Sequence, residues 1–384
     1  MLIGIDGIPL AKPKTGVGHY TFELARALAL LEPRDEFQLL SHFPLDLTAE
    51  QTHIPPNLCT VRTPRGKRWL AFGLPLYARQ KHLTLFHGTN YEVPLWPGCP
   101  TVLTIHDLSL LRHPETHERH LVRRGKRRLP LMTRIATRIL TDSESVKREI
   151  CEHLHVVPDK IAVVPLAARS VFRPVRETRG VRQRLGVEDE FILFVGTLEP
   201  RKNIATLIRA FEELLRSTSV SPQLVIAGPE GWLIEELFGS SERTALKKRV
   251  LFTGYLSDED LRALYSSCRV FVYPSIYEGF GLPPLEAMAC GAPVITSSIP
   301  VIKETVGAAA RLIAPTDVGA LTANLLELLT DANARASYSA AGLRRAAEFT
   351  WERTAQMTRE VYRSALRPAT SAARATTGML ALIS

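Results

Sequence analysis

Short apolar runs rich in β-branched residues recur along the chain, separated by stretches whose apolar positions follow helical spacing. The runs Leu2–Ile5, Phe37–Leu40, Leu83–Phe86, Thr101–Ile105, Arg138–Thr141 and Ile161–Val164 predict one series of strands. A second series follows at Phe191–Val195, Gln223–Ala227, Val250–Phe252, Val270–Tyr273 and Pro293–Thr296. Several are apolar throughout rather than alternating, as strands of a parallel sheet covered on both faces should be. Helical spacing falls between them at Tyr20–Leu31, Ala205–Arg216, Asp258–Ser266 and Pro284–Ala289, and again at Phe349–Leu366. Alternating strand and helix predict an α/β, doubly wound architecture.

The texture changes across Pro165–Val187, a polar and Arg-rich stretch carrying Pro165 and Pro174. It divides the chain into two Rossmann-like domains, 1–170 and 171–350. A last helical segment, 351–384, ends in an Ala/Thr-rich stretch from 367 that is expected to fray. With 384 residues, 45% apolar and 23% charged, the composition excludes a disordered, collagenous or coiled-coil protein and suits two cored domains.

Charge is less even. The formal net charge is +9. Nine basic residues lie between Arg112 and Arg138, against only Glu115 and Glu118. Such a patch meets nucleic acid, an anionic membrane or a phosphorylated substrate, or it is a solvated helix face. The five cysteines are scattered with no C-x-x-C pair, which argues against a disulfide framework or zinc ribbon and for a reduced, cytoplasmic setting. The N-terminus lacks a signal-peptide pattern, and no run approaches the roughly 18 apolar residues needed to span a bilayer.

The strongest motif is Tyr277-Glu-Gly-Phe-Gly-Leu-Pro-Pro-Leu-Glu-Ala-Met-Ala-Cys-Gly291. It follows the strand run Val270–Tyr273, so it falls at the carboxyl edge of a sheet, where ligands bind in open α/β folds. Gly279 and Gly281 let the backbone approach a ligand, and Pro283 and Pro284 suit the opening turn of a helix. The free amides of Gly281 and Leu282 then point at an anion such as a diphosphate. Glu278 in the loop and Glu286 in the first helical turn face one crevice, where a carboxylate accepts hydrogen bonds from sugar or ribose hydroxyls. Alone, Glu286 would read as compensation of the helix dipole; the glycine-rich loop and second Glu favour binding.

A second cluster, Phe194-Val-Gly-Thr-Leu-Glu-Pro-Arg-Lys-Asn203, runs from a buried strand into a helix. Arg201 and Lys202 stand at the helix start, where cations oppose the macrodipole, so a compensating anion is expected and a bound diphosphate would supply it. In isolation an exposed basic pair in a turn is the plainer reading.

Together these clusters resemble the retaining glycosyltransferases of family 4, whose GT-B fold sets two Rossmann-like domains across a cleft. Glu278 and Glu286 meet the family's Glu-x7-Glu signature; Arg201, Lys202 and Asn203 meet its Arg-Lys-Asn element. Further similarities extend over nearly the whole chain, among them Thr15-Gly-Val-Gly-His-Tyr20, Phe86-His-Gly-Thr-Asn90, Thr104-Ile-His-Asp-Leu108, Thr141-Asp-Ser-Glu-Ser145, Ala227-Gly-Pro-Glu-Gly231 and Phe349-Thr-Trp-Glu-Arg353. The resemblance implies that the last helix crosses back onto the N-terminal, acceptor-binding domain. It implies that Arg201 and Lys202 hold the donor diphosphate and that Glu286 binds the ribose. Glu278 and the amides of Gly279, Phe280, Gly281 and Leu282 would take the transferred sugar and distal phosphate. Gly16 and Gly18 would form a loop approaching the phosphates, and His106 would contact the sugar near its C6 hydroxyl. Without the resemblance, a His-Asp pair after a strand reads as a structural histidine.

The implied reaction moves a hexosyl group from a nucleotide sugar to an acceptor hydroxyl with retention. Its demand is charge stabilisation at the leaving phosphate, met here without a metal or other cofactor. No catalytic base is evident. The subgroup resemblance is to bacterial O-antigen and polysaccharide mannosyltransferases, which implies GDP-mannose, with a UDP-hexose as the competitor. The implied acceptor is a glycan or lipid-linked glycan. The basic-aromatic stretch Arg65–Tyr77, which reads equally as a buried helix with a solvated start, and the 112–138 patch could then place the N-terminal domain on an anionic inner-membrane face, making the protein peripheral there and not a nucleic-acid binder. A non-catalytic binding protein on the same scaffold, and a GT-B epimerase or phosphorylase, are the readings of other classes.

Overall fold

The computed structural model describes residues 1–11, 16–47, 53–63, 69–229 and 244–367. The apolar runs assemble into two sheets. The first comprises β1 (Leu2–Asp6), β2 (Glu36–Ser41), β3 (Leu58–Arg62), β4 (Leu85–Gly88), β5 (Thr101–Thr104), β6 (Arg138–Thr141) and β7 (Ile161–Val163), in the order β3-β2-β1-β4-β5-β6-β7. The second comprises β8 (Phe191–Val195), β9 (Gln223–Ala227), β10 (Val250–Gly254), β11 (Val270–Tyr273), β12 (Val294–Ser297) and β13 (Arg311–Ile313), in the order β10-β9-β8-β11-β12-β13. Every pairing is parallel.

Parallel pairing explains the composition of the central strands. β9 and β11 are buried along their whole length, because crossover helices cover both faces. Two strands lie outside the sequence reading. β3 and β13 are edge strands, half exposed and, in β13, only three residues long, so neither makes an unbroken apolar run. β4 begins two residues later than its apolar run. Leu83 instead closes the preceding helix, Leu74–Gln80, by donating to Ala78 O after His82 turns left-handed (φ 53°).

In each sheet the strand order reverses once, between β1 and β4 and between β8 and β11. A crevice opens outside the carboxyl ends at such a switch point. The clusters ending β8 and β11 therefore stand at one crevice by topology alone.

The last described helix, Trp351–Leu366, crosses back to the first sheet's domain and packs on the first helix, Gly16–Leu31. Thr350 caps it, and Arg359 and Arg363 pair with Glu32. Its Tyr362 hydroxyl meets His87 Nδ1 at 2.7 Å, while His87 Nε2 meets Thr104 Oγ1 at 2.7 Å. Burial, with His106 adding to it, drives the His87 pKa down to about 3, so the ring is neutral and one nitrogen donates while the other accepts. Residues 368–384, including the Ala/Thr-rich end, and the basic residues Arg65, Lys67 and Arg68 lie outside the described residues. Replacing Tyr362 by Phe should leave one His87 nitrogen buried without a partner, costing about 1–3 kcal/mol. Urea unfolding followed by fluorescence would show a lower midpoint; an unchanged midpoint would contradict this role.

Candidate active site

A cleft of about 760 Å³ runs between the two sheets' carboxyl edges, with Gly16, His106 and Asp142 on one wall and Arg201, Lys202, Glu278 and Glu286 on the other. The two glutamates reach it differently. Glu278 lies in the loop after β11. The helix that follows is Leu282–Ala289, two residues longer at its start than the sequence reading, so Glu286 belongs to its second turn rather than its first. Gly281, at φ 95°, is the N-cap; this left-handed conformation leaves the Gly281 and Leu282 amides ahead of a helix whose next two residues are prolines. Gly279 answers a different need. A Cβ there would lie 2.0 Å from the His106 carbonyl oxygen, so the two walls touch backbone to backbone.

Arg201 and Lys202 sit in a short 3-10 turn, Pro200–Lys202, just before the helix Ile204–Ser217. Asn203 links the two at φ 56°, and its Nδ2 donates to Pro274 O and Pro315 O. Lys202 Nζ lies 2.6 Å from Glu278 Oε1 and 2.6 Å from the Tyr273 hydroxyl, which donates to the same Oε1 at 2.9 Å. Arg201 reaches Glu278 Oε2 at 3.5 Å and Glu199 Oε1 at 2.7 Å. Two carboxylates therefore already compensate the two cations, a task the sequence reading assigned to a bound diphosphate. Burial works to raise the Glu278 pKa, but Lys202 and Arg201 outweigh it and hold it below the ordinary carboxylate value. Burial works against the charged Arg201, but Glu278 and Glu199 outweigh it and raise its pKa.

Glu286 is held less firmly. Its Oε1 lies 3.9 Å from Arg169 Nε, while both terminal nitrogens of Arg169 bond Asp258. Burial pushes the Glu286 pKa up to about 7, with Arg169 pulling it back. Arg169 is 9% exposed and lines the cleft, yet nothing in its sequence surroundings marks it. Asp258 begins an Asp-Glu-Asp triplet whose spacing suits a divalent metal, but Asp258 is bonded to Arg169 and Asp260 to Arg184 at 2.5 Å. Among the described residues no three His, Cys, Asp or Glu side chains converge as a metal site would need.

Across the cleft, Gly16 and Gly18 are helical rather than in a loop. Gly16 opens the helix and lines the cleft, whereas Gly18 is buried within the helix and does not. Thr15, just before them, lies outside the described residues. His106 lines the cleft, but both ring nitrogens are engaged, Nδ1 with Asp142 Oδ2 at 2.8 Å and Nε2 with Thr89 O at 3.1 Å. A carbonyl can only accept, so Nε2 carries a hydrogen; the Nδ1–Asp142 contact then needs one more proton. Burial works against His106⁺, but the charge and hydrogen bond of Asp142 outweigh it and raise its pKa. The His106 side chain has no free nitrogen for a sugar hydroxyl. Asp142, inside a motif noted in the sequence, is the partner that fixes it.

The sequence family Glycosyltransferase Family 4 matches residues 14–168 and Glycosyl transferases group 1 matches 176–345, one on each side of the cleft. An Escherichia coli protein, O-antigen chain mannosyltransferase B, is 33% identical over 92% of this chain and 97% of its own length. The chain belongs to glycosyltransferase family 4. Solved structures agree on the GT-B fold of this family. Sucrose-phosphate synthase from Thermosynechococcus elongatus superposes with a TM-score of 0.75 at 24% identity, covering 94% of this chain and 98% of its own. The Anabaena HepE complex with UDP-glucose gives 0.73 at 21% identity, covering 94% and 99%. This glycosyltransferase thus has both walls of its cleft, Arg169 apart, within matched sequence.

Because Glu286 is buried with a raised pKa, its neutral form favours the folded, empty protein. That contribution is full below the ordinary carboxyl value of 4.5 and is lost as pH rises through about 7. Glu286→Gln should therefore melt increasingly higher than the parent, by a few degrees, as pH is raised from about 5 to 8. Parallel melting curves over that range would refute it.

Proposed function

We propose that this glycosyltransferase transfers mannose from GDP-mannose, with retention, to a hydroxyl of a glycan or lipid-linked glycan in polysaccharide assembly. The convergence of Arg201, Lys202 and the Gly281–Leu282 amides on one cleft with Glu286 carries the reading. A nucleoside diphosphate needs that set: cations and helix-terminal amides for phosphoryl oxygens, and a carboxylate for vicinal ribose hydroxyls. The name of the E. coli relative supports mannose. The UDP-glucose bound by the Anabaena relative keeps a UDP-hexose as the second reading.

In the proposed step the bond from the anomeric carbon to the leaving phosphate oxygen breaks, and a bond to the acceptor oxygen forms on the same face. The acceptor proton passes to the leaving phosphate. Arg201 and Lys202 stabilise the negative charge growing on that phosphate. Arg201 offers a planar fork, and Lys202, with Glu278 and Tyr273 on two of its three donors, retains a third. The chain's own cations thus meet the charge demand, and we infer a metal-independent reaction.

We also infer binding to an anionic membrane face. The helix Arg119–Ile135 exposes Arg119, Arg123, Arg124, Lys126 and Arg127, while Phe72, Leu76 and Trp96 are exposed at 63%, 58% and 76%. Among the described residues no helix is long and apolar enough to cross a membrane.

Nucleotide release from a panel of nucleotide sugars tests the first reading. GDP-mannose should be turned over fastest, and Arg201→Ala and Glu286→Ala should each lower kcat/KM by about 100-fold or more. Release unaffected by both changes, or supported best by a UDP-hexose, would reject it in whole or in its donor. For the membrane, replacing Arg119, Arg123, Lys126 and Arg127 together by Gln should weaken binding to phosphatidylglycerol vesicles at least tenfold at low salt. Equal sedimentation with vesicles would show the charge to be a solvated face.

A further inference from the structure

Arg169 stands where the two halves of the chain are joined. The stretch 164–178, between β7 and the helix Arg179–Leu185, forms no helix or strand. Its other arginines, Arg173 and Arg176, are exposed, whereas Arg169 is buried and turned into the cleft. Its guanidinium is held from more than one side. The Phe172 ring centre lies 4.8 Å from the guanidinium carbon, and both terminal nitrogens bond Asp258, Nη2 to Oδ1 at 2.8 Å. Burial works against this charge, but Asp258, Glu286 and Glu23 on the first helix outweigh it and raise the Arg169 pKa.

The pairing with Asp258 does not use Nε. That nitrogen is buried, makes no hydrogen bond among the described residues, and lies 3.9 Å from Glu286 Oε1. A clamp that only fastened the linker to the second domain would need the Asp258 half alone.

Glu286 needs such a neighbour. Burial pushes its pKa up to about 7; Arg169 pulls it down, Asp258 pushes it up, and the Tyr265 hydroxyl pulls it down. The Cys290 thiol beside it is itself pushed up to about 12, so it stays neutral. The other elements packed on the helix Leu282–Ala289 have their polar groups committed elsewhere. Tyr273 on β11 is bonded to Lys202 and Glu278, and Arg262, on the helix with Asp258, donates to Arg173 O and Pro174 O. Glu304 accepts from Ser145, and Arg345 bonds Glu348 and the Thr305 and Glu304 carbonyls. Arg169 is thus the cation that offsets the burial of Glu286.

The charge matters for the ligand. A ribose presents two adjacent hydroxyls, and an ionised carboxylate can accept from both and still hold a third donor. A protonated carboxyl has lost one of those accepting positions and must itself donate. The anion is therefore the form suited to ribose, with Arg169 Nε as the third donor.

We propose that Arg169 is the positioning residue of the nucleotide site: reaching from the interdomain linker and anchored by Asp258, it keeps Glu286 ionised and aimed so that the carboxylate accepts the ribose hydroxyls. Arg169 acts through Glu286 and touches no part of the substrate. This rests on the nucleotide-sugar reading above and names what sets the strength and pH range of that binding. Nucleotide affinity then rises with pH through about 7 and levels above it, because the protonated fraction of Glu286 must lose its proton to bind. Without Arg169 the levelling moves to higher pH.

Calorimetric titration of the full chain with GDP, and with UDP for the second donor reading, from about pH 6 to 9 tests this. Arg169→Gln should bind about fivefold or more weakly at pH 7 and level about one pH unit or more above the parent. Arg169→Lys, which keeps the charge, should level near the parent's pH. Glu286→Gln should bind weakly at every pH, and adding Arg169→Gln to it should leave that profile unchanged. The Asp258 side chain is 38% exposed, so it stays hydrated when Arg169 is replaced and the variant keeps its fold. An Arg169→Gln profile parallel to the parent's, however weak, or an equal further loss in the Glu286→Gln background, would overturn the proposal and leave Arg169 a structural clamp. Absence of binding of either nucleotide to the parent at every pH would reject the nucleotide reading and the proposal with it, whereas parental binding with parallel profiles rejects the proposal alone.

Discussion

Lys202 is 7% exposed and next to it Arg201 is three-quarters hidden or more, so two adjacent cations are buried at the end of one strand series. Taking an ammonium out of water is unfavourable by several kcal/mol unless a counter-charge and hydrogen bonds replace the solvent. Glu278 supplies both, with the Tyr273 hydroxyl as a third member shared between Lys202 and Glu278. Removing one partner from such a set typically costs about 3–5 kcal/mol, because the remaining charge is stranded. The loop carrying Glu278 is therefore tied to the turn carrying Arg201 and Lys202 before any ligand arrives. In the proposed reaction an incoming diphosphate would meet donors already aimed and held, which is the condition for stabilising charge without reorganisation.

That anchoring reaches across the cleft through Glu278's neighbours. Gly279 lies against the His106 carbonyl and accepts from Ser143 Oγ at 3.1 Å, while the Tyr277 hydroxyl accepts from Leu108 N–H at 2.9 Å and donates to Glu149 at 2.7 Å. Farther out, Glu304 accepts from the amides of Glu144 and Ser145 at 2.8 and 2.9 Å. A carboxylate from the second domain thus caps the N-terminus of the helix Glu144–Leu154 in the first, where the macrodipole favours negative charge. These contacts between the halves are polar and directional. They set the walls at one separation, and the C-terminal helix adds a covalent return to the first domain.

What was legible in the sequence is what local spacing can encode. Glu278, Gly281 and Glu286 follow a buried strand within one turn-and-helix unit, and Arg201 and Lys202 do the same in another, so topology alone brings them to one crevice. Arg169 lies in a linker with no periodicity and Asp142 acts on a histidine distant in sequence, so no spacing announces them; Glu199 stands two residues before Arg201 inside the quoted cluster, but its pairing with that cation shows only in the fold. The resemblance put Gly16 and Gly18 in a loop; here the helix starts at Gly16 and buries Gly18. β3 and β13 escaped because an edge strand need bury only one face. The Glu286 position slipped by a turn because prolines at the second and third helical residues mark a start without fixing the residue before them.

The engagement of both His106 nitrogens bears on the chemistry. A general base needs an unengaged lone pair within reach of the proton it takes. Nε2 has its hydrogen directed at Thr89 O, and Nδ1 shares a proton with Asp142, so the imidazole has none to offer. In the proposed reaction its positive character, sustained by Asp142, would oppose a developing oxocarbenium charge and would have to be offset. The buried carboxylate offsets it, keeping the local charge near neutral. On the proposed same-face route the acceptor proton then has one destination left among the reacting groups, the leaving phosphate oxygen. On that route Arg201 and Lys202 would stabilise that oxygen's charge without removing its basicity, because Glu278 partly neutralises both and Glu199 also pairs with Arg201. The carboxylates that make the cations tolerable in the empty cleft thus also moderate their pull on the leaving group.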